Sequence, residues 1–375
     1  MSELKVNAIT DASGGNTASI NGATPTTDNT MGKNRLINGD MRIDQRNAGA
    51  SVTVSTGSLG YTLDRWAAIE NTDGVMTAQQ DTSAPSGFVN SLKFTTTTAD
   101  ASLASTQFAY TVQRIEGLNV ADLGWGTANA KTVTISFWVR SSLTGTFGGA
   151  VYNGGSNRSY PFTYAISVAD TWEYKTVTIA GDTTGTWLTT NGIGLQLVFG
   201  LGVGSTYSGT AGSWSGSLAF SATGATSVIG TNGATFYITG VQLEAGSVAT
   251  SFERRSYGQG LALCQRYYQK VSSTAATNES ITNGYAYSTT NAFLVIPFTT
   301  EMRVRPAAIE TTGTFSDYRI VRLTNVYTCT NLLYSNSSNK SIQIIAEVSS
   351  GLAADAGVML QTNSTDAFIA WSAEL

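Results

Sequence analysis

"KTVTISFWVRSS", Lys131–Ser142, alternates apolar and polar side chains along its length. Val133, Ile135, Phe137 and Val139 fall on one side of an extended chain, and Thr134, Ser136, Trp138 and Arg140 on the other. A period of two marks a strand with one face on a core. The pattern recurs on both sides of this stretch. In "WEYKTVTI", Trp172, Tyr174, Thr176 and Thr178 share a face opposite Val177 and Ile179. In "GIGLQLVFGLG", Ile193, Leu195, Leu197, Phe199 and Leu201 are core candidates, with Gln196 expected outward. "STQFAYTVQRIEGL" reads as an earlier strand and "GATFYITGVQLEAG" as the last of the set. Strands divided by turn signals, with no helical pattern between them, predict an all-β fold: an antiparallel β-sandwich or jelly roll.

Composition agrees. Charged residues are 12% of the 375, aromatic residues 10%, and glycines number 39. Aromatic and β-branched side chains suit a pleated sheet, and glycine suits turns. A net charge of −4 without a long basic run gives a phosphate backbone little to bind, so nucleic acid is not an expected partner. Histidine is absent, which removes the commonest general base, the commonest zinc ligand and every Ser-His or Cys-His pair. Cys264 and Cys329 are too few for a disulfide framework and are expected as buried thiols made in a reducing cytoplasm. "MSELKVNAIT" has neither a basic nor an apolar region of the kind a secretory signal needs. No run of about 18 apolar residues occurs, so membrane insertion is not expected.

The texture changes along the chain. Residues 1–33 combine a short alternating strand, "ELKVNAIT", with Gly-Gly and Asn-Gly turns and a polar stretch, "ATPTTDNTMGK". This segment buries too little to fold alone and is expected to pair with copies of itself or with another protein. Residues 34–255 form the main β domain. Over 256–272 a helix is predicted: Ser256 and Gly258 precede "GLALCQRYYQK", where Leu261, Cys264, Tyr267 and Tyr268 recur at helical spacing and Lys270 lies near the end. From 273 to 375, segments such as "NAFLVIPF", "SDYRIVRLTN", "SIQIIAEVSS" and "AFIAWSAEL" predict a second, smaller β-sandwich. "EMRVRPAAIETTG" is read among them, and Pro297 and Pro306 belong at sheet edges or strand ends.

Two stretches carry a resemblance. "NRLINGDMRIDQRNAG" followed by "YTLDRWAAI" sets an Asn-Gly turn at Asn38 and Gly39, then Ile43, Gln45 and Arg46, then Tyr61, Asp64, Arg65 and Trp66. "FYITGVQLEAGSVATSFERRSYGQGLALCQRYYQK" is the second, spanning 236–270. Both are similar to the opening and closing parts of a jelly-roll module in tail fibres of tailed bacteriophages. "ELKVNAITDASGGNTASING" resembles the attachment end of marine and cyanobacterial phage fibres, and "WSAEL" such fibre ends. The resemblance implies a homotrimeric virion appendage, made in the host bacterial cytoplasm, whose jelly roll is akin to carbohydrate-binding modules. Residues 1–33 would then join other tail, baseplate or adaptor proteins, and the β domains would meet host cell-surface polysaccharide.

Sugar recognition needs flat aromatic faces and fixed polar groups for hydroxyls. Trp138 and Arg140 share a face, and Trp172 and Tyr174 are placed to line it from another strand. "YNGGSNRSYPFTY" adds Tyr160, with Tyr152, Asn157 and Arg158, and "GSWSGS" adds Trp214. The same rings would also serve to cover a sheet or to pack between subunits. Asp40, Asp44, Asp64 and Glu70 supply carboxylates for acid-base work, but no spacing selects a pair, and Asp64 and Arg65 read as a structural turn and ion pair. No catalytic residue, cofactor or metal site is assigned. Asn38 and Asp40 are the place where a structural calcium would find oxygen ligands. Glu244, Glu253, Arg254 and Arg255 are expected as an interdomain brace. Besides glycan recognition by a tail fibre, two other functions are compatible: a purely structural head-fibre, decoration or adaptor protein, and a polysaccharide depolymerase.

Overall fold

A computed structural model describes residues 32–273 and 278–375. The expected attachment segment, 1–33, lies outside the described residues except for its last two. The chain divides into two compact units, Met1–Arg255 and Ser256–Leu375. The all-β expectation holds in both.

The first unit is a sandwich of two six-stranded antiparallel sheets. Sheet one runs, side by side, β1 (Val52–Thr53), β4 (Val75–Asp81), β5 (Ser91–Thr98), β14 (Thr235–Ala245), β7 (Val133–Ser141) and β10 (Glu173–Ile179). Sheet two runs β2 (Gly60–Leu63), β3 (Trp66–Glu70), β6 (Phe108–Glu116), β11 (Ile193–Val203), β8 (Gly145–Asn153) and β9 (Ser159–Ile166). Val133, Ile135, Phe137 and Val139 of β7 are all fully buried between the sheets, as alternation requires. Phe137 meets Phe199 and Tyr164 of sheet two edge-on, each with ring centres 5.0 Å apart.

Gln196 departs from its expected exposure. It does point away from the core, but the segment from Gly204 to Ala222 folds over that face and carries the short parallel pair β12 (Ser208–Gly209) and β13 (Ser221–Ala222). Phe220 packs there on Tyr110 and Tyr152. Gln196 is buried beneath and accepts hydrogen bonds from the Tyr152 hydroxyl and Arg114 Nε, both at 3.0 Å. A buried amide is tolerated because its oxygen is partnered.

The residues of the Asn-Gly and Asp-Arg-Trp motifs build one buried hub. Asn38 donates to the carbonyls of Ile43 and Asp64 and accepts from Ile43 N–H. Trp66 Nε1 donates to Asn38 O, and the Asp64 carboxylate accepts from Gln45 N and Nε2. Asp64 and Arg65 form the turn of the β2–β3 hairpin, with Arg65 in the left-handed region at φ 68° and its guanidinium donating to Arg114 O. Gly39 must be glycine for a different reason: a Cβ there would stand 2.1 Å from the carbonyl oxygen of Val241.

In the second unit α1 spans Tyr257–Gln265, and its N-cap Ser256 accepts a hydrogen bond from Gln259 N. The helix is shorter than the sequence predicts. Tyr268, Gln269 and Lys270 leave it for strand β15 (Tyr268–Ser272), because the ladder to the terminal strand pairs Tyr268 with Ser372 and Lys270 with Ala370. Long-range pairing overrides helical spacing here. A three-stranded sheet is completed by β23 (Phe368–Ser372) and β18 (Glu310–Thr311). Those two residues are all the strand that "EMRVRPAAIETTG" supplies.

The expected smaller sandwich is closed on itself. β16 (Ser280–Ala286), β17 (Asn291–Pro297), β21 (Ser341–Val348), β20 (Asn325–Ser337), β19 (Tyr318–Arg322) and β22 (Gly357–Thr362) form a barrel in that order. Pro297 ends its strand. Leu294, Ile342, Ile344, Ile320 and Leu360 fill the interior with no exposed surface. Cys264 and Cys329 are both buried, with no disulfide joining them, and burial pushes the Cys329 thiol up to about 12.

Candidate functional site

Alternation that buries one side of β7 sends the other outward, and the ladder then decides which outward residues become neighbours. Trp138 stands opposite Tyr174 of β10 and Thr239 of β14. One step along, Tyr237 of β14 stands opposite Arg140 on one side and Lys93 of β5 on the other. The outer face of sheet one therefore gathers four of the predicted residues: Trp138, Arg140, Trp172 and Tyr174. Their rings form two adjoining pairs, Trp138 with Tyr174 at 5.4 Å and Trp172 with Tyr237 at 6.1 Å.

Charge is layered on these rings. The Arg140 guanidinium lies 5.0 Å from the Tyr237 ring centre and Lys93 Nζ 5.5 Å from it. Arg140 also donates to Ser83 Oγ at 3.0 Å and reaches Asp170 at 3.3 Å, while Lys93 pairs with Asp81 at 3.4 Å. Burial pulls the Lys93 ammonium pKa down, but Tyr237 and Asp81 outweigh it and hold it above its ordinary value. Both cations are thus held in place by an acid, Asp170 for Arg140 and Asp81 for Lys93. Tyr174 is 45% exposed, and Trp138 and Trp172 are half-buried.

Between β7 and β14 the rest of this face is covered, while Thr176 and Thr178 of β10 stay exposed. Thr134 and Ser136 are buried, as are Gln242 and Glu244 opposite them. Glu244 accepts from Thr250 N and Oγ1 and from Gln242 Nε2. Glu253 accepts from Asn34 N, and Arg255 donates to the carbonyls of Asn34 and Leu36. Arg254 stacks on Phe88, 4.8 Å from its ring centre. These contacts of Glu244, Glu253, Arg254 and Arg255 tie strand β14, the segment after it, residues 34–36 and Phe88 together inside the first unit.

Tyr160 and Trp214 come together elsewhere, at 5.2 Å, packed against the core. Trp214 joins Trp125 and Trp187 in a three-way edge-on cluster with ring centres 4.7 to 5.5 Å apart. Its indole N–H donates to Ala180 O. Burial raises the Tyr160 hydroxyl pKa. Arg158 is held by Asp182, donating from Nε and Nη2 at 2.8 and 2.7 Å.

The carboxylates are taken up by local structure. Asp44 accepts from Asn47 N and Gly49 N, Glu70 from Thr56 Oγ1 and from Thr72 N and Oγ1, and Asp40 from Arg42 Nε. Among the described residues no group of three or more His, Cys, Asp or Glu side chains converges. No helix among them is long and apolar enough to cross a membrane.

Sequence reading missed Tyr237, Lys93 and Phe88. The first two were visible as the polar partners in "TFYIT" and "SLKFT", alternating with buried Phe236, Ile238, Leu92 and Phe94. What alternation does not reveal is which strands lie side by side.

No family model matches the chain, and no curated protein matches it. Solved structures similar to this chain include the enzymatically active domain of tailspike protein 4 from bacteriophage CBA120. That likeness has 11% identity and a TM-score of 0.28, and covers 57% of this chain and 21% of the tailspike chain. TmCBM61 in complex with β-1,4-galactotriose is similar at 10% identity and TM-score 0.28, covering 57% of this chain and 99% of its own. The family 11 carbohydrate-binding module of Clostridium thermocellum, in complex with a mixed-linked tetrasaccharide, has 10% identity and a TM-score of 0.27, covering 54% and 98%.

Proposed function

We propose that the outer face of sheet one binds cell-surface polysaccharide, and that the chain is a homotrimeric tail-fibre appendage of a bacteriophage which uses it to adsorb to a host. The observation that carries this is the double row on that face: Trp138 against Tyr174, and Trp172 against Tyr237 beneath Arg140 and Lys93. The rings of Trp138, Tyr174 and Trp172 accept the apolar faces of sugars, Tyr237 lying buried beneath the cations, and the cations and their carboxylates offer hydrogen bonds to hydroxyls. The resemblance of residues 34–66 and 236–270 to fibre jelly rolls supports the virion part, with residues 1–33 as the joint to other particle proteins. Single sugar contacts are weak, and three copies per fibre would raise their sum. No catalytic step is proposed, since the acidic side chains already serve turns and loops; reducing-end release from bound polysaccharide would overturn that.

A glycan array probed with the full chain tests the reading. Binding to bacterial polysaccharide should fall at least tenfold, about 1.4 kcal/mol, in a Trp138→Ala/Tyr174→Ala variant with an unchanged melting temperature. A blank array for the native chain sinks glycan recognition and favours a purely structural virion component. Light scattering should give the mass of three chains, and a stable monomer would remove the trimer.

A further inference from the structure

We infer that the polysaccharide recognised by this face is anionic, its charged substituent docking in an arginine-lined pocket that adjoins the aromatic rows. The inference rests on the glycan-binding reading above. The pocket holds about 210 Å³, room for a single sugar-sized group, and is lined by Asp40, Arg42, Phe88, Val89, Arg254 and Arg255. Its Phe88 neighbours the rows across one residue. At Gly240, φ +61°, a Cβ would meet Phe88 Cζ at 2.7 Å and Trp138 Cδ1 at 3.2 Å, so both rings press on the same glycine. β14 breaks register between Thr239 and Gln242 to make that approach.

The three arginines differ in what occupies them. Arg42 reaches Asp40 and the carbonyl of Arg255, and Arg255 reaches two carbonyls and Glu253 at 3.5 Å. Arg254 lies over Phe88 at 4.8 Å and Phe252 at 6.0 Å, and among the described residues no carboxylate pairs with it. On the aromatic rows themselves each cation already has an acid, Asp81 for Lys93 and Asp170 for Arg140. The pocket thus keeps an exposed, stacked guanidinium whose charge is not neutralised, in a chain of net charge −4. A stacked guanidinium presents its donor fork edge-on, which suits the two oxygens of a sugar carboxylate or phosphate ester. Val89, 65% exposed, adds apolar surface at the rim for the ring that carries the group.

The test uses an array of bacterial polysaccharides in matched forms: native, carboxyl-reduced and dephosphorylated. The full chain should bind native acidic polymers and lose at least tenfold on the form that lacks their anionic group, and which treatment abolishes binding identifies carboxylate or phosphate. Arg254→Gln should lose the same tenfold on native polymers with no change in melting temperature, and should bind the neutralised forms as the native chain does. Equal binding to native and neutralised forms, with Trp138→Ala still abolishing both, overturns the anionic pocket and leaves the glycan-binding face standing. No binding to any form overturns the face itself, and the pocket inference with it.

Discussion

Asp182 shows what a single buried charge does in this sandwich. It is 2% exposed and accepts from Arg158, from Thr184 N and Oγ1, and from the indole N–H of Trp187. Burial alone would raise its pKa, but the Arg158 and Thr184 donors win and hold it below the ordinary 3.8. The folded state therefore binds its proton less readily than the unfolded chain does. Its contribution is complete above pH 3.8 and is lost as pH falls through the lower folded-state value. Asp182→Asn should cost about 2–3 kcal/mol at pH 7 by urea denaturation, leaving Arg158 half-buried without its acid. The gap between native and variant should narrow as pH drops below that window. The pairing was invisible in sequence: Arg158 was noted as part of a polar loop, and Asp182, 24 positions away, was not.

At the scale of elements, strand faces were legible and their neighbours were not. Val133 to Val139 declared the inner face of β7, and the outer face followed at once. Gln196 shows the boundary of that logic, because the cover that buries it comes from a loop of Ser, Thr and Gly with Phe220 at its end. Tyr268 shows another, since residues at helical spacing were drawn into a ladder whose partner lies at the C-terminus. Trp214, read as a loop ring for sugar or for packing, is held by two indoles that no local pattern connects to it. The Asn-Gly motif was legible as a turn, yet its strictest demand is tertiary. Gly39→Ala would drive a methyl into the Val241 carbonyl and force residues 34–43 off strand β14. The expected loss is about 1–3 kcal/mol, read as a lower urea midpoint with an unchanged slope.

Among the described residues each unit carries its own main core, and the first has a smaller cluster besides, around Tyr110, Tyr152 and Phe220. The first main core is built on Phe94, Phe137, Phe199 and Phe236, the second on Leu294, Ile320, Ile344 and Trp371. No residue belongs to both, and the chain divides between Arg255 and Ser256. Residues 32–255 expressed alone should therefore unfold in one cooperative calorimetric transition; a broad transition without a heat peak would contradict this. Composition announced the all-β class from the start, and the break in texture near Ser256 announced a second unit. Closure of that unit depends on β16 meeting β22, some 75 residues along the chain, a pairing that local pattern does not encode.

That closure also governs how the protein behaves when crowded. Every strand of the barrel has a neighbour on both sides, so none presents a free row of amides on which a stray extended peptide or another copy can build. Among the described residues of the second unit, open flanks remain only on the small sheet. β18 offers just two residues, too short to template growth, and β15 carries Lys270, whose ammonium sits 4.4 Å from the Phe368 ring centre. A cation on the rim of a sheet discourages the next strand from docking. Fibrillation should accordingly be slow to start from the native second unit, and should require the barrel to open first.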